Sequence, residues 1–107
     1  MRILLNESLP IELAVELAGH DVVFVQKMEW SGSKNGGLLA RAAGRFDVML
    51  TADQNLPYQQ NLSTLPIAVM VVAAKSNRIE ALRPLIPGLL AVLASIQPRT
   101  LVHVGAS

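Results

Sequence analysis

The octapeptide VMLTADQN, residues 48–55, sets the expected fold, because a short apolar run stops abruptly at a hydroxyl and then at a carboxylate. The same design occurs at residues 3–7, where three apolar residues precede Asn6 and Glu7. In open α/β sheets, ligands and catalytic groups collect at the carboxyl ends of the strands. If these two strands are parallel neighbours, we expect Asn6, Glu7 and Asp53 to face one small pocket.

Apolar strands alternate with helical patterns along the rest of the chain. We predict strands at residues 2–5, 22–25, 47–51, 67–74 and 100–104, with the continuous apolar run 67–74 as the central strand. We predict helical regions at residues 11–18, 35–43 and 79–93, and one turn or a compact loop at 53–62. This order predicts a single domain, residues 1–107, built as a three-layer α/β/α sandwich around a mainly parallel sheet of about five strands.

Local signals indicate where the helices begin and end. Ser8, Asn35 and Asn77 are residue types that cap helix N-termini. Gly19 is a good terminator for the first helix. Two prolines in the last helical region, at residues 84 and 87, should kink or break it.

Composition narrows the class of protein. Cysteine is absent, which excludes thiol catalysis and zinc fingers. A net charge of +1 provides no overall basic field for non-specific nucleic-acid binding. The apolar run 67–74 is too short to span a bilayer, so we expect a cytoplasmic protein with no membrane partner. The apolar fraction of 51% is high for so small a domain, and we expect a homo-oligomer.

Several motifs together point to a known family. They are ILLNESLP at residues 3–10, GHDV at 19–22, KNGGLL at 34–39, FDVMLTADQNL at 46–56 and YQQNL at 58–62. In these motifs, which span most of the chain, the sequence resembles the PIN-like domains of the DUF5615 family. That family is similar to PIN-domain ribonucleases, including the toxins of bacterial toxin–antitoxin pairs. The resemblance implies strand-end carboxylates that bind a divalent metal, which activates water against an RNA phosphodiester.

Carried over residue by residue, the resemblance implies a depleted acidic site. The family's first acid lies in a Leu-Asp-Glu pattern, and here that position is Asn6, followed by a retained Glu7. A second acid commonly precedes the Leu-Leu of the short helix, and here that position is Gly37. The acid after the third strand is retained as Asp53. Asp53 and Glu7 would therefore hold one Mg²⁺ or Mn²⁺ weakly, with Asn6 offering a neutral oxygen.

Each candidate residue also has a structural alternative. Asp53 is an expected N-cap for the turn that follows it, and Glu7 a solvated residue at a helix start. Thr51, Asn35 and Lys34 are the candidate substrate-binding residues. Their alternatives are a packed strand threonine, a helix cap and a solvated charge, in that order.

Two functions follow from these residues. The first is a metal-dependent ribonuclease whose catalytic residues, Asp53, Glu7 and Asn6, support weak or lost activity on RNA. The second is a non-catalytic module that binds an antitoxin-like protein in a toxin–antitoxin-like system. Trp30, in the irregular segment 26–34, either stacks on a base or forms a small core under a loop.

Overall fold

The computed structural model, which describes residues 1–105, contains five strands that form one parallel sheet. They are β1 (Arg2–Leu5), β2 (Asp21–Phe24), β3 (Val48–Thr51), β4 (Ala68–Ala73) and β5 (Leu101–Gly105). Their order across the sheet is β2-β1-β3-β4-β5, and all four neighbouring pairs run parallel. The parallel α/β prediction is confirmed. The central strand is β3, however, and the longer β4 lies between β3 and the edge strand β5.

The helices lie between the strands in sequence. They are α1 (Leu13–Glu16), α2 (Asn35–Ala42), α3 (Leu56–Gln59), α4 (Ile79–Leu82) and α5 (Ile86–Ser95), with 3₁₀ turns at Leu62–Thr64 and Arg83–Leu85. The 3₁₀ turn that contains Pro84 separates α4 from α5, as the missing proline N–H requires. The predicted break in the last helical region is confirmed.

Two separate apolar cores cover the two faces of the sheet. On one face, Leu5 and Leu50 pack with buried residues of α1, α4 and α5. On the other, Leu4 and Met49 pack with residues of α2 and with Leu56 of α3. Alternate residues of one strand enter opposite cores because successive side chains point to opposite faces of a sheet. This arrangement gives the three layers predicted from the sequence.

The first helical region differs from its prediction, whereas Trp30 takes one of its two predicted roles. The predicted first helix, residues 11–18, is α-helical only at Leu13–Glu16, and the N–H groups at residues 13–15 bond three residues back rather than four. The helix ends at Glu16, before the predicted terminator Gly19, which has φ +87° in the turn that follows. Trp30 packs edge-on against Phe46, with ring centroids 6.4 Å apart, so it belongs to a core under the loop.

Among residues 1–105, no helix is both long enough and apolar enough to cross a membrane.

Two glycine substitutions should change the stability of the last strand and helix in opposite directions. Gly105 has φ +110°, and a Cβ there would run into the backbone carbonyl of Ala73. We expect Gly105→Ala to lower the free energy of unfolding by about 1–3 kcal/mol. In α5, a Cβ on Gly88 would meet Val104 Cγ1 at an ordinary 3.7 Å, and Gly88→Ala should add about 0.5–1 kcal/mol. Urea unfolding measures the free energy of unfolding of both variants. A change of the same sign and size in the two would mean that neither the clash at Gly105 nor the open space at Gly88 determines stability.

Candidate functional site

The carboxyl ends of β1 and β3 lie side by side and form one wall of a pocket. Leu5 pairs with Leu50 in the sheet register, and the next N–H, that of Asn6, donates to the carbonyl of Leu50 at 2.9 Å. The hollow above this edge has a volume of about 1010 Å³, and Asn6, Glu7 and Asp53 all line it. The structure therefore places the three residues on the lining of one pocket, as the strand ends predicted.

Asp53 is held by two donors. Its Oδ2 accepts a 2.8 Å hydrogen bond from Asn35 Nδ2, and its Oδ1 accepts one of 2.9 Å from the backbone N–H of Asn55. The second bond satisfies an orphan N–H just before α3, so Asp53 performs the capping role expected of it. Each carboxylate oxygen has a second lone-pair direction that these bonds leave open.

Glu7 is exposed and anchors a loop. Its Oε1 accepts a 2.9 Å hydrogen bond from the backbone N–H of Gly32, in the segment between β2 and α2. Glu7 is therefore not simply a solvated acid at a helix start, because its carboxylate also binds the backbone of a loop. The bond holds the irregular segment against the tip of β1, and it leaves Oε2 without a protein partner among residues 1–105.

Asn6 is buried, with 8% of its surface exposed. Its Oδ1 accepts a 3.0 Å hydrogen bond from the N–H of Ser8, which stabilises the turn after β1. The amide oxygen that could contact a metal thus already accepts one backbone hydrogen bond, which leaves it a single lone pair. Asn6 is primarily a turn residue at the floor of the pocket.

Two hydroxyl groups join the tips of β1 and β3. Thr51 is fully buried, and its Oγ1 accepts a 3.1 Å hydrogen bond from the N–H of Asp53. Ser8 Oγ lies 3.4 Å from that oxygen and accepts a 3.0 Å hydrogen bond from the N–H of Ala52. Thr51 therefore lies behind the pocket and positions Asp53, rather than contacting a substrate. Ser8 joins the two strands and does not cap the first helix as predicted.

The opposite wall comes from α2 and the end of α3. Asn35 is the first residue of α2 and does not cap it; its Nδ2 bonds to Asp53 and, at 3.3 Å, to Gln59 Oε1. Lys34 occupies the N-cap position without a side-chain cap bond, is exposed, and lines the pocket. Gln59 and Gln60 also line it, and sequence reasoning assigned them no role. Their polarity was visible, but their proximity to α2 depends on tertiary packing.

The prediction for Asn77 is also wrong. The N-cap of α4 is Arg78, which makes no side-chain cap bond. The N–H of Arg78 instead donates to Ser76 Oγ at 3.3 Å. Like Ser8, Asn77 is a residue type that caps helices, but it does not occupy the N-cap position of the helix that follows it.

The donor set fits at most one weakly held divalent ion. Mg²⁺ usually takes one or two carboxylates and completes its shell with water and phosphate, and Asp53 and Glu7 provide such a pair on the pocket wall. Within residues 1–105 there is no cluster of three or more His, Cys, Asp or Glu side chains that could hold a metal. A Cβ at Gly37 would have no atom within 4 Å, so this glycine leaves open space at the start of α2.

Comparison of the chain with protein-family models, with curated proteins and with solved structures finds no match.

Proposed function

We propose that this chain is a PIN-like domain related to the metal-dependent ribonucleases of toxin–antitoxin systems, acting on RNA in the cytoplasm with weak or lost catalytic activity. The observation that carries the proposal is the meeting of Asn6, Glu7 and Asp53 in one pocket at the carboxyl edge of a parallel sheet. The resemblance of the sequence to the DUF5615 domains supports it, since Glu7 and Asp53 match two of that family's acids, whereas Asn6 and Gly37 stand where two others are expected.

Asp53 and Glu7 are the residues that would hold one Mg²⁺ or Mn²⁺. A bound ion would lower the pKa of a coordinated water and neutralise charge on a phosphate. The residues of the chain explain why the site is weak. The Asp53 carboxylate already accepts hydrogen bonds from the Asn35 amide and the Asn55 N–H, and Asn6 Oδ1 accepts one from the Ser8 N–H. Lys34 provides a cation on the pocket wall for an RNA phosphate.

Calorimetric titration of Mn²⁺ tests the metal site. We expect heat of binding with the wild type and none with Asp53→Ala, because the variant keeps only one of the two carboxylates that would hold the ion. Asp21→Ala is the matched control: Asp21 begins β2 at the opposite edge of the sheet, where it pairs with Arg2 at 3.5 Å. This control should bind as the wild type does. Equal heat in all three proteins would refute the assignment, because the ion would then bind elsewhere.

The alternative is a non-catalytic module that binds an antitoxin-like protein or a second copy of the chain. Two large apolar side chains at the start of the first helical region favour it, since Ile11 is 54% and Val15 is 84% exposed. A wild type that binds neither Mn²⁺ nor RNA, and is dimeric by light scattering, would select this alternative.

A further inference from the structure

We infer that the edge strand β5 (Leu101–Gly105) pairs antiparallel with β5 of a second copy of this chain, which joins the two sheets into one continuous sheet. The apolar composition predicts a homo-oligomer, and this inference names its interface. The pocket at the ends of β1 and β3 takes no part, so the inference goes beyond the proposed function and does not depend on it.

Alternate backbone groups of β5 point away from the protein. Within residues 1–105, β5 has one neighbour in the sheet, β4. The N–H of Val69 on β4 donates to the Thr100 carbonyl at 2.8 Å, so the even-numbered residues of β5 face β4. The N–H and C=O groups of Leu101 and His103 therefore face outward. No backbone group outside the sheet bonds to either residue in the described part of the chain, so this edge is open to another strand.

β5 lacks the features that usually prevent edge pairing. Natural edge strands carry a charge, a proline or a bulge for this purpose. β5 reads Leu-Val-His-Val-Gly, and its register with β4 is continuous over all five residues. Arg99 is the sole charged residue between Pro84 and Ser107, with histidine counted as neutral. The helix α5, which packs beside β5, is therefore uncharged as well.

The outward groups of β5 are complementary to those of an identical strand. In an antiparallel pair centred on His103, this residue lies opposite His103 of the second copy, and the two exchange both N–H···O bonds. The same register places Leu101 opposite Gly105, so outward residues meet outward residues. On the face of the sheet that α5 covers, half-buried Val102 lies opposite Val104 of the second copy and adds an apolar cross-strand contact.

Charge and symmetry favour a second copy over an unrelated peptide. A charged peptide would find no opposite charge on this strand, whereas an identical neutral strand leaves no charge unpaired. Two copies paired in this way are related by a two-fold axis, and each uses the same surface. The opposite edge strand, β2, begins at exposed Asp21, which has the kind of charge that blocks edge pairing. The assembly therefore stops at two copies.

Sedimentation equilibrium over a range of protein concentrations tests the pairing. We expect the wild type to reach twice the mass of one chain and no more. His103 is exposed, so its variants should fold normally. His103→Glu places two carboxylates opposite each other and should raise the dissociation constant of the dimer about 100-fold, whereas His103→Gln should dimerise as the wild type does. Gln26→Glu, just after β2 at the opposite edge, adds the same charge and should change nothing.

Cysteine crosslinking tests the register. The chain has no cysteine of its own, so a single introduced thiol finds a partner only in the second copy. In the register centred on His103, the two Cα atoms of residue 103 lie about 5.5 Å apart, which is within reach of a disulfide. His103→Cys should therefore form a disulfide dimer on oxidation. Thr100→Cys, whose two copies would lie about 20 Å apart along the same edge, should not.

Amide hydrogen exchange provides a measurement without any substitution. The outward N–H groups of Leu101 and His103 should exchange more slowly as the protein concentration rises. A wild type that stays monomeric at millimolar concentration overturns the inference. A dimer that His103→Glu leaves intact, or in which these two amides exchange as fast as in the monomer, also overturns it, because the interface then lies on another surface. In each case the Mn²⁺ titration of the pocket, which does not involve β5, still decides the proposed function.

Discussion

Replacing Asn6 by Asp and Gly37 by Glu is expected to raise the affinity of the pocket for Mn²⁺ about 100-fold. Each added carboxylate attracts a divalent ion by about 8 kcal/mol at 4 Å and an effective dielectric constant of 20. Desolvation of the ion and the carboxylates offsets most of that attraction. A net gain of about 3 kcal/mol for the two together corresponds to the expected factor.

Both substitutions fit the local structure. Asn6 Oδ1 accepts a hydrogen bond from the Ser8 N–H, and an aspartate oxygen can accept the same bond. Gly37 is exposed in the first turn of α2, and a Cβ there would meet nothing within 4 Å. A glutamate is also a better helix former than glycine and is favoured near a helix N-terminus. The variant should therefore fold, with its new carboxylates on the pocket wall.

Calorimetry measures the change in affinity, and thermal unfolding with and without Mn²⁺ provides a second measurement. Without metal, four acidic groups around one pocket should lower the melting temperature; added Mn²⁺ should restore it, because it binds only the folded state. The matched control, Asn77→Asp with Ala91→Glu, adds the same charge at exposed positions away from the pocket. An equal gain in Mn²⁺ affinity in the control would mean that the effect comes from net charge and not from the pocket. No gain in either protein would mean that the pocket is not a degraded metal site.

The strand tips were predictable because the relevant signal is local. An apolar run buried on both faces must end where polar residues begin, and parallel strands bring such ends to one edge. That reasoning placed Asn6, Glu7 and Asp53 correctly, although it could not reveal which oxygens were already hydrogen-bonded. Asn6 shows the limit: its amide was visible in the sequence, but its bond to Ser8 depends on the shape of one turn.

The helix caps were predicted less well because several groups in the folded chain can hydrogen-bond to the same polar side chain. Ser8 stands where a cap is expected, yet its hydroxyl bonds to Ala52, 44 residues away in sequence. Asn35 likewise bonds to Asp53, 18 residues away. Both choices depend on which elements the fold brings together. The place of Gln60 on the pocket lining was hidden for the same reason, since it arises only when the end of α3 lies beside α2.

Thr51→Val is expected to lower the free energy of unfolding by about 2 kcal/mol and to weaken any ligand binding that depends on Asp53. Valine keeps nearly the same shape in a site with 0% exposure, but it removes the acceptor for the Asp53 N–H and the neighbour of Ser8 Oγ. Leaving buried polar groups unpaired costs about 1–3 kcal/mol. Thr64→Val is the matched control. Thr64 is exposed, its hydroxyl bond is 3.4 Å long, and its loss should cost less than about 0.5 kcal/mol.

Thr51→Ser separates the hydroxyl from the methyl group. It keeps the acceptor and loses one buried methyl, which costs about 1 kcal/mol. We therefore expect Thr51→Ser to retain Mn²⁺ binding and Thr51→Val to weaken it. If both variants bind alike, Thr51 matters for packing alone and does not position Asp53.

A double-mutant cycle with Ser8→Ala then asks whether the two hydroxyl groups hold the strand tips together. Their oxygens lie 3.4 Å apart, so removing either one removes their mutual contact. If that contact stabilises the fold, the loss in the double variant should be smaller than the sum of the two single losses. Strict additivity would mean that the hydroxyls act separately, each on its own backbone N–H. The tips would then be joined by the backbone bond from Asn6 to Leu50 and by the separate bond from the Ala52 N–H to Ser8 Oγ, and of the two hydroxyls only that of Thr51 would position Asp53.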